Sequence, residues 1–129
     1  MNVKNRDLVI EQAKANRDIA KLREQATQKD LYSAKQRENM LLKASKIEDD
    51  ISKKRIEVAK MQAEAQTRQN ALSKSTTEDL DKEAEANAKV IELEAERARN
   101  QMKIQRELQS ARAESAREGA EARKKREVS

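Results

Sequence analysis

The 129-residue chain contains no cysteine, no histidine and no proline, and it has one glycine and one aromatic residue, Tyr32. Without cysteine there is no disulfide framework, and the redox compartment cannot be inferred. The commonest metal ligands and acid–base groups are missing as well. A catalytic carboxylate needs a partly desolvated pocket, which a thin helical rod does not offer. The sequence therefore predicts a non-enzymatic protein with no cofactor and no metal site.

Large apolar side chains are also scarce. The apolar fraction is 36%, and 20 of these residues are alanine. Because alanine buries little area, a self-contained core is hard to assemble against the entropy of ordering the chain. The excess of Ala, Glu, Lys and Arg favours helix over disorder. We therefore predict an all-α fold of long helices that form a helical hairpin or a coiled-coil-like bundle, stable mainly in an assembly.

Long apolar runs are absent too. The longest are the triplets at residues 8–10 and 40–42. Neither approaches the length that a membrane-spanning helix needs, so we expect no transmembrane segment. Residues 1–7 lack the apolar stretch of a signal peptide, and we expect no classical secretion signal.

Charge is abundant and unevenly distributed. Residues 1–77 carry 17 basic and 11 acidic groups, residues 78–96 carry two and eight, and residues 97–129 carry ten and five. An acidic segment thus lies between two basic ones. Antiparallel folding would bring opposite signs together, and so would head-to-tail contact with a neighbour.

Helical periodicity runs through most of the chain and changes its spacing. Positions 44, 51, 58, 65 and 72 form a seven-residue ladder, whereas positions 80, 91 and 102 are separated by 11 residues. A seven-residue spacing favours a left-handed supercoil, and an eleven-residue spacing favours a straight or slightly right-handed bundle. A chain that contains both spacings is therefore predicted to form a multi-helix assembly. The predicted assembly seam consists of Met40, Ala44, Ile47, Ile51, Val58, Met61, Ala65, Leu72, Leu80, Ile91, Ala95 and Met102.

A hydroxyl-rich segment marks the main break in this periodicity. Residues 73–77 contain four Ser or Thr residues, which favour caps and turns, and both Ser75/Glu78 and Thr76/Asp79 have capping-box spacing. We predict a helical segment over 1–72 with a weaker break near 27–33, a polar turn at 73–77 and a second helical segment over 78–122. The alternative is a continuous rod that passes through a polar patch.

The last seven residues, 123–129, form a basic tail that we expect to fray. Its four consecutive cations could contact phosphates or another anionic surface. These candidate residues are Arg123, Lys124, Lys125 and Arg126. The alternative is a solvated helix end, since acidic residues flank the run and no aromatic residue is available to stack on a base.

Residues 63–80 read AEAQTRQNALSKSTTEDL. This Ala/Gln/Asn/Arg/Glu texture with a Ser/Thr interruption resembles small internal virion proteins of short-tailed bacteriophages. The resemblance implies a helix, a Ser-containing turn and a second helix, storage inside the capsid, and ejection with the genome. The family's glycine-rich turn and apolar N-terminal stretch are absent here, so neither a pore-forming role nor any functional residue is carried over.

These observations predict a structural subunit that self-assembles, with copies of itself or other structural proteins of a large particle as partners. The resemblance adds an internal virion or ejection protein as the particular case, located in the virion interior or the cytoplasm. Two alternatives remain open: a nucleic-acid-associated helical module whose basic arms contact a backbone, and an adaptor that folds on one partner.

Overall fold

The computed structural model describes residues 3–128, and side chains from residue 5 to residue 127. Three helices follow one another: α1 (Val3–Gln25), α2 (Ala34–Leu72) and α3 (Thr77–Val128). They contain 23, 39 and 52 residues, which at 1.5 Å per residue gives lengths of about 35, 58 and 78 Å. The described part of the chain has no strand, and the predicted all-α bundle of long helices is confirmed. Residues 1, 2 and 129, at the ends of the predicted first segment and tail, lie outside the described residues.

The connection between α1 and α2 occupies residues 26–33, where the sequence led us to expect a weaker break. Its end is set by a capping box. The Ser33 hydroxyl accepts a hydrogen bond from the Gln36 backbone N–H at 3.2 Å, and the Ser33 N–H donates to Gln36 Oε1 at 2.9 Å. Reciprocal capping satisfies two backbone donors that a helix start leaves unpaired, so α2 begins at a defined residue.

The turn between α2 and α3 covers residues 73–76 and contains no glycine. The Thr76 N–H donates to Asp79 Oδ2 at 3.1 Å, and the Asp79 N–H donates to Thr76 Oγ1 at 3.2 Å. Asn70 Nδ2 donates to the Asp79 carbonyl at 2.9 Å, which ties the end of α2 to the start of α3. No described residue has a positive φ, so hydroxyl and amide side chains close this turn without left-handed backbone.

Helices α2 and α3 run antiparallel as a hairpin. Ion pairs join Arg55 to Glu96 at 3.2 Å and Lys60 to Glu94 at 3.8 Å. Basic residues of α2 thus face the acidic first half of α3, the arrangement that the charge distribution favours in an antiparallel fold. Exposed pairs of this kind contribute little energy each, but together they select one alignment of the two helices.

Helix α1 packs against α2, antiparallel to it. Lys54 Nζ donates to Glu11 Oε2 at 2.9 Å, and Gln62 Nε2 donates to Asn5 Oδ1 at 3.2 Å. Side chains of α1 also reach α3, where Arg23 pairs with Glu107. Because α1 is shorter than the hairpin, it reaches along α2 as far as Gln62 and leaves uncovered the part of the hairpin next to the 73–76 turn.

The core is narrow and consists of three small clusters along the helices. The largest lies where all three helices meet, and its most deeply buried large residue is Ile104, which is 2% exposed. Its buried members are Ala15, Ile19, Ala44, Ile51 and Ile104. A second cluster near the 26–33 connection comprises Ala26, Leu41, Leu108 and Ala111. The third joins Ile56 and Ala59 of α2 to Leu93 of α3.

The C-terminal part of α3 extends past the start of α2. Arg37, close to the beginning of α2, pairs with Glu114, and every described side chain from residue 116 to residue 127 is exposed. The sequence led us to expect a helix ending at residue 122 and a frayed tail. The helix instead continues to Val128, since the Ala, Glu, Arg and Lys residues there are good helix formers.

Candidate assembly surfaces

The predicted seam residues of α2 separate into two groups. Ala44 and Ile51 are buried, and Met40 and Ile47 are partly buried and pack against the same clusters. Val58 is half-buried. The last three seam residues of α2 are exposed, namely Met61, Ala65 and Leu72. The first five seam residues therefore contribute to the interior of the single chain, and the last three face solvent.

The predicted seam residues of α3 all face solvent. Leu80, Ile91 and Met102 are 53%, 68% and 57% exposed, and Ala95 is exposed as well. The contact with α2 is made instead by Val90, Leu93, Ile104, Leu108 and Ala111. The eleven-residue series therefore belongs to the side of α3 that points away from the hairpin.

Polar side chains occupy several positions in the contact between α2 and α3. A search for apolar periodicity in the sequence does not find these positions. Glu48 is buried, and its Oε1 accepts hydrogen bonds from Ser52 Oγ at 3.0 Å and from Asn100 Nδ2 at 2.9 Å. Ser45 Oγ donates to Gln101 Oε1 at 3.0 Å. A buried carboxylate is tolerated only where donors satisfy it, so these contacts favour one alignment of α2 on α3.

The Arg37–Glu114 pair is the most buried ion pair between α2 and α3. The Arg37 side chain is 5% exposed, and its Nη2 lies 2.9 Å from Glu114 Oε2. The hydrogen bond from Arg37 holds the pKa of Glu114 below its ordinary value. Arg37 Nε is buried without a hydrogen-bond partner among the described residues, so the guanidinium depends on Glu114 for its charge compensation.

Two other carboxyl groups have lowered pKa values. The pKa of Asp49 is lowered by hydrogen bonds from Lys53 and from Arg97, which reaches across from α3. The pKa of Asp79 is lowered by the Thr76 backbone N–H and hydroxyl at the start of α3. Ionised Asp49 binds Arg97 of the neighbouring helix, and ionised Asp79 caps the start of α3. Both pKa shifts therefore have structural causes.

The side of α3 opposite the hairpin forms a continuous exposed stripe without charge, which we call the outer stripe. It recurs every three or four residues over the whole hairpin. The outer stripe consists of Leu80, Ala84, Ala88, Ile91, Ala95, Ala98, Met102, Gln105, Gln109, Ala113, Ala116 and Ala120. In a chain that is 41% charged, twelve consecutive uncharged positions on one helix face form an unusual surface.

A shallow groove of about 620 Å³ lies between α2 and α3, and no residue of α1 lines it. Its apolar lining residues are Ala63, Val90 and Ile91, and its charged ones are Lys60, Glu64 and Arg68. Two smaller depressions, of about 290 and 420 Å³, lie between α1 and α2 around Val58 and Met61. They show that α1 covers this part of α2 incompletely.

The basic tail residues lie on the exposed extension of α3. Arg123, Lys124 and Lys125 are exposed and helical, as is Arg126. Successive residues of a helix are rotated by about 100°, so these four cations are spread around the helix. They do not form a single basic face.

The described residues contain no group of three or more His, Cys, Asp or Glu side chains arranged to hold a metal ion. None of the three described helices has a stretch of the length and hydropathy needed to cross a bilayer. Comparisons with protein-family models, curated proteins and solved structures gave no match.

Proposed function

We propose that the protein is a non-enzymatic structural subunit, a self-assembling helical component of a larger particle. The observation that supports this most is the exposure of large apolar residues of α3, Leu80, Ile91 and Met102, on a chain with few such residues. A helix that exposes an apolar face leaves it in contact with water unless a second surface covers it.

The narrow core supports the same proposal. Its largest cluster has five buried residues, two of them alanine, and the cluster nearest the 73–76 turn has three. Long thin helices of this kind gain most of their stability from packing rather than from helix propensity. Covering the exposed part of the hairpin next to the 73–76 turn would add burial that the single chain does not supply.

The narrower form of the proposal is an internal virion or ejection protein of a short-tailed phage. Residues 63–80 form the end of α2, a Ser-containing turn and the start of α3, the local structure that the family resemblance implies. Mass spectrometry of purified particles from a phage that encodes the chain would then find it in many copies. Its absence from such particles would remove the virion assignment and leave self-assembly as the function.

Self-assembly is tested by thermal unfolding at different protein concentrations. A partner that binds only the folded chain stabilises it by mass action, so the melting temperature followed by circular dichroism rises over about a hundredfold range of concentration. A melting temperature and helix content independent of concentration contradict the proposal. An adaptor that folds on a different partner would show low helix content at every concentration.

The nucleic-acid alternative is distinguished by its salt dependence. A protein that contacts the phosphate backbone of a nucleic acid loses affinity steeply as the salt concentration rises, because its binding releases the cations condensed on the phosphates. The four tail cations are spread around α3, so only part of them could face one phosphate strand. The test measures how much of the chain is retained on immobilised DNA or RNA at increasing salt concentrations. Retention that falls steeply with salt would favour this alternative over a structural subunit.

A further inference from the structure

The outer stripe of α3 has dimensions that suit a helix–helix interface. It extends over 41 residues from Leu80 to Ala120, and its three large residues project between smaller or uncharged ones. A stripe about 60 Å long and about 10 Å wide presents about 600 Å² per copy. Two copies would bury about 1,200 Å² in total, the lower end of the range for specific interfaces.

The period of the outer stripe matches an undistorted helix. Leu80, Ile91 and Met102 recur at intervals of 11 residues, which is three turns at about 3.67 residues per turn. The stripe therefore stays on one side of a straight α3 over its whole length. The alanines between the large residues allow a second helix to approach closely.

The charges beside the outer stripe change sign along α3. One edge carries mainly acidic residues before residue 95 and mainly basic residues after it. These are Asp81, Glu85 and Glu92, followed by Arg99, Lys103, Arg106 and Arg117. The acidic exceptions in the second part are Glu121 and two residues that pair with α2, Glu96 with Arg55 and Glu114 with Arg37. Arg106 Nη2 lies 3.6 Å from Met102 Sδ, which places this edge directly against the stripe.

This sign change distinguishes between partner orientations. A parallel pair of α3 helices would place acids beside acids and bases beside bases, which is unfavourable. An antiparallel pair places the acidic half of each copy beside the basic half of the other. The surface is therefore complementary to itself under a twofold axis, the symmetry of most homodimers.

We propose that a second copy of this chain docks on the outer stripe, with the two α3 helices antiparallel. This inference rests on the proposed self-assembly and names its interface. In the alignment that we infer, Leu80 of one copy lies beside Ala120 of the other, Ile91 beside Gln109, and Met102 beside Ala98. Each large apolar residue then faces a smaller or uncharged one.

The same alignment pairs most of the edge charges. Asp81 of each copy lies near Arg117 of the other, and Glu92 lies near Arg106, which gives four opposite-charge contacts in the dimer. The two Arg99 side chains meet beside the twofold axis, as one like-charge contact. Attraction therefore exceeds repulsion along this edge.

The chain has no native cysteine, so introduced cysteines report the alignment directly. The test mixes equal amounts of Leu80→Cys and Ala120→Cys protein, lets the subunits exchange, oxidises them mildly and identifies the disulfide products by mass spectrometry. We expect the mixed Leu80→Cys/Ala120→Cys dimer. Leu80→Cys alone should not cross-link, because its two cysteines would lie about 60 Å apart.

The matched control mixes Lys82→Cys with Glu118→Cys, which are exposed at almost the same heights on a different side of α3. This mixture should give no cross-linked dimer. A Leu80→Cys homodimer, or a control product as abundant as the test product, overturns the antiparallel interface while self-assembly stands. A chain that sediments as a monomer at every concentration overturns the interface and the proposed function together.

Discussion

Arg37 of α2 and Glu114 of α3 form an ion pair in which one partner is buried and the other is partly exposed, with Nη2 and Oε2 2.9 Å apart. The two residues are therefore not equivalent. Loss of Glu114 leaves a guanidinium without compensation inside the hairpin. Loss of Arg37 leaves a carboxylate that water and Lys29, 4.0 Å away, can still stabilise.

The two substitutions should consequently differ in size. Glu114→Ala leaves a buried guanidinium without its partner and should reduce the stability by about 3–5 kcal/mol, whereas Arg37→Met leaves a partly exposed carboxylate and should cost clearly less. Differential scanning calorimetry at one protein concentration measures both. The exposed Glu118→Ala is the control, and equal losses for Glu114→Ala and Arg37→Met would contradict this account of the pair.

Ile104 should be the most sensitive position of the narrow core. It is 2% exposed and lies in the cluster that joins all three helices. Ile104→Ala should reduce the free energy of unfolding by about 2–5 kcal/mol. Urea denaturation measures the change. Leu72→Ala, at a position that is 88% exposed, should stay within about 0.5 kcal/mol, and a similar loss for both variants would argue against the helix packing.

Asp49 should make the stability depend on acidic pH. Its pKa is lowered by Lys53 and Arg97, so its contribution is fully present above the ordinary carboxyl pKa of about 4 and is lost as the pH falls through the lowered value. The stability difference between wild type and Asp49→Asn should therefore be constant near neutrality and shrink below about pH 4. Chemical denaturation at several pH values measures it. The exposed neighbour Asp50→Asn should show a smaller difference, and a constant Asp49 effect down to strong acid would refute the assignment.

Arg99 provides a test of the dimer in which a substitution improves binding. Because the two Arg99 side chains meet near the proposed twofold axis, Arg99→Gln should tighten self-association by about two- to fivefold, as expected for a weak exposed charge contact. Arg117→Gln removes two symmetry-related attractive contacts and should weaken association by at least a similar factor. Dissociation constants from analytical ultracentrifugation at low salt distinguish the two. Weakening by Arg99→Gln would rule out this alignment.

The fold class followed from composition because strong helix formers and an absence of proline leave few alternatives to long helices. The start of α3 could be predicted from Thr76 and Asp79, a local pair with capping spacing that a single sequence records well. Ahead of α2, only a break near residues 27–33 was predicted, and its capping residue, Ser33, was not singled out. Continuation of α3 through residues 123–128 was missed because we gave the charge run more weight than its helix propensity.

The side of each helix that faces the hairpin could be predicted only in part. On α2, a strict seven-residue ladder includes Ala44 and Ile51, which lie in the contact within the chain, but then moves off that contact, because an α-helix has 3.6 rather than 3.5 residues per turn. On α3, the inner side contains Arg97 and Asn100, which contact Asp49 and Glu48. Apolar periodicity alone therefore selects the outer stripe, whose apolar residues are more regularly spaced.

The central claim is that the outer stripe is covered by a second copy, and sedimentation equilibrium of wild type and Ile91→Arg tests it most directly. Ile91 is 68% exposed, so the substitution should leave the fold intact, as circular dichroism at low concentration would verify. We predict that the mass of wild type rises with concentration from the 14.8 kDa of one chain to at least twice that value, and that Ile91→Arg associates at least about tenfold more weakly. Equal association of the two proteins, or a wild type that remains at 14.8 kDa throughout, would contradict the account.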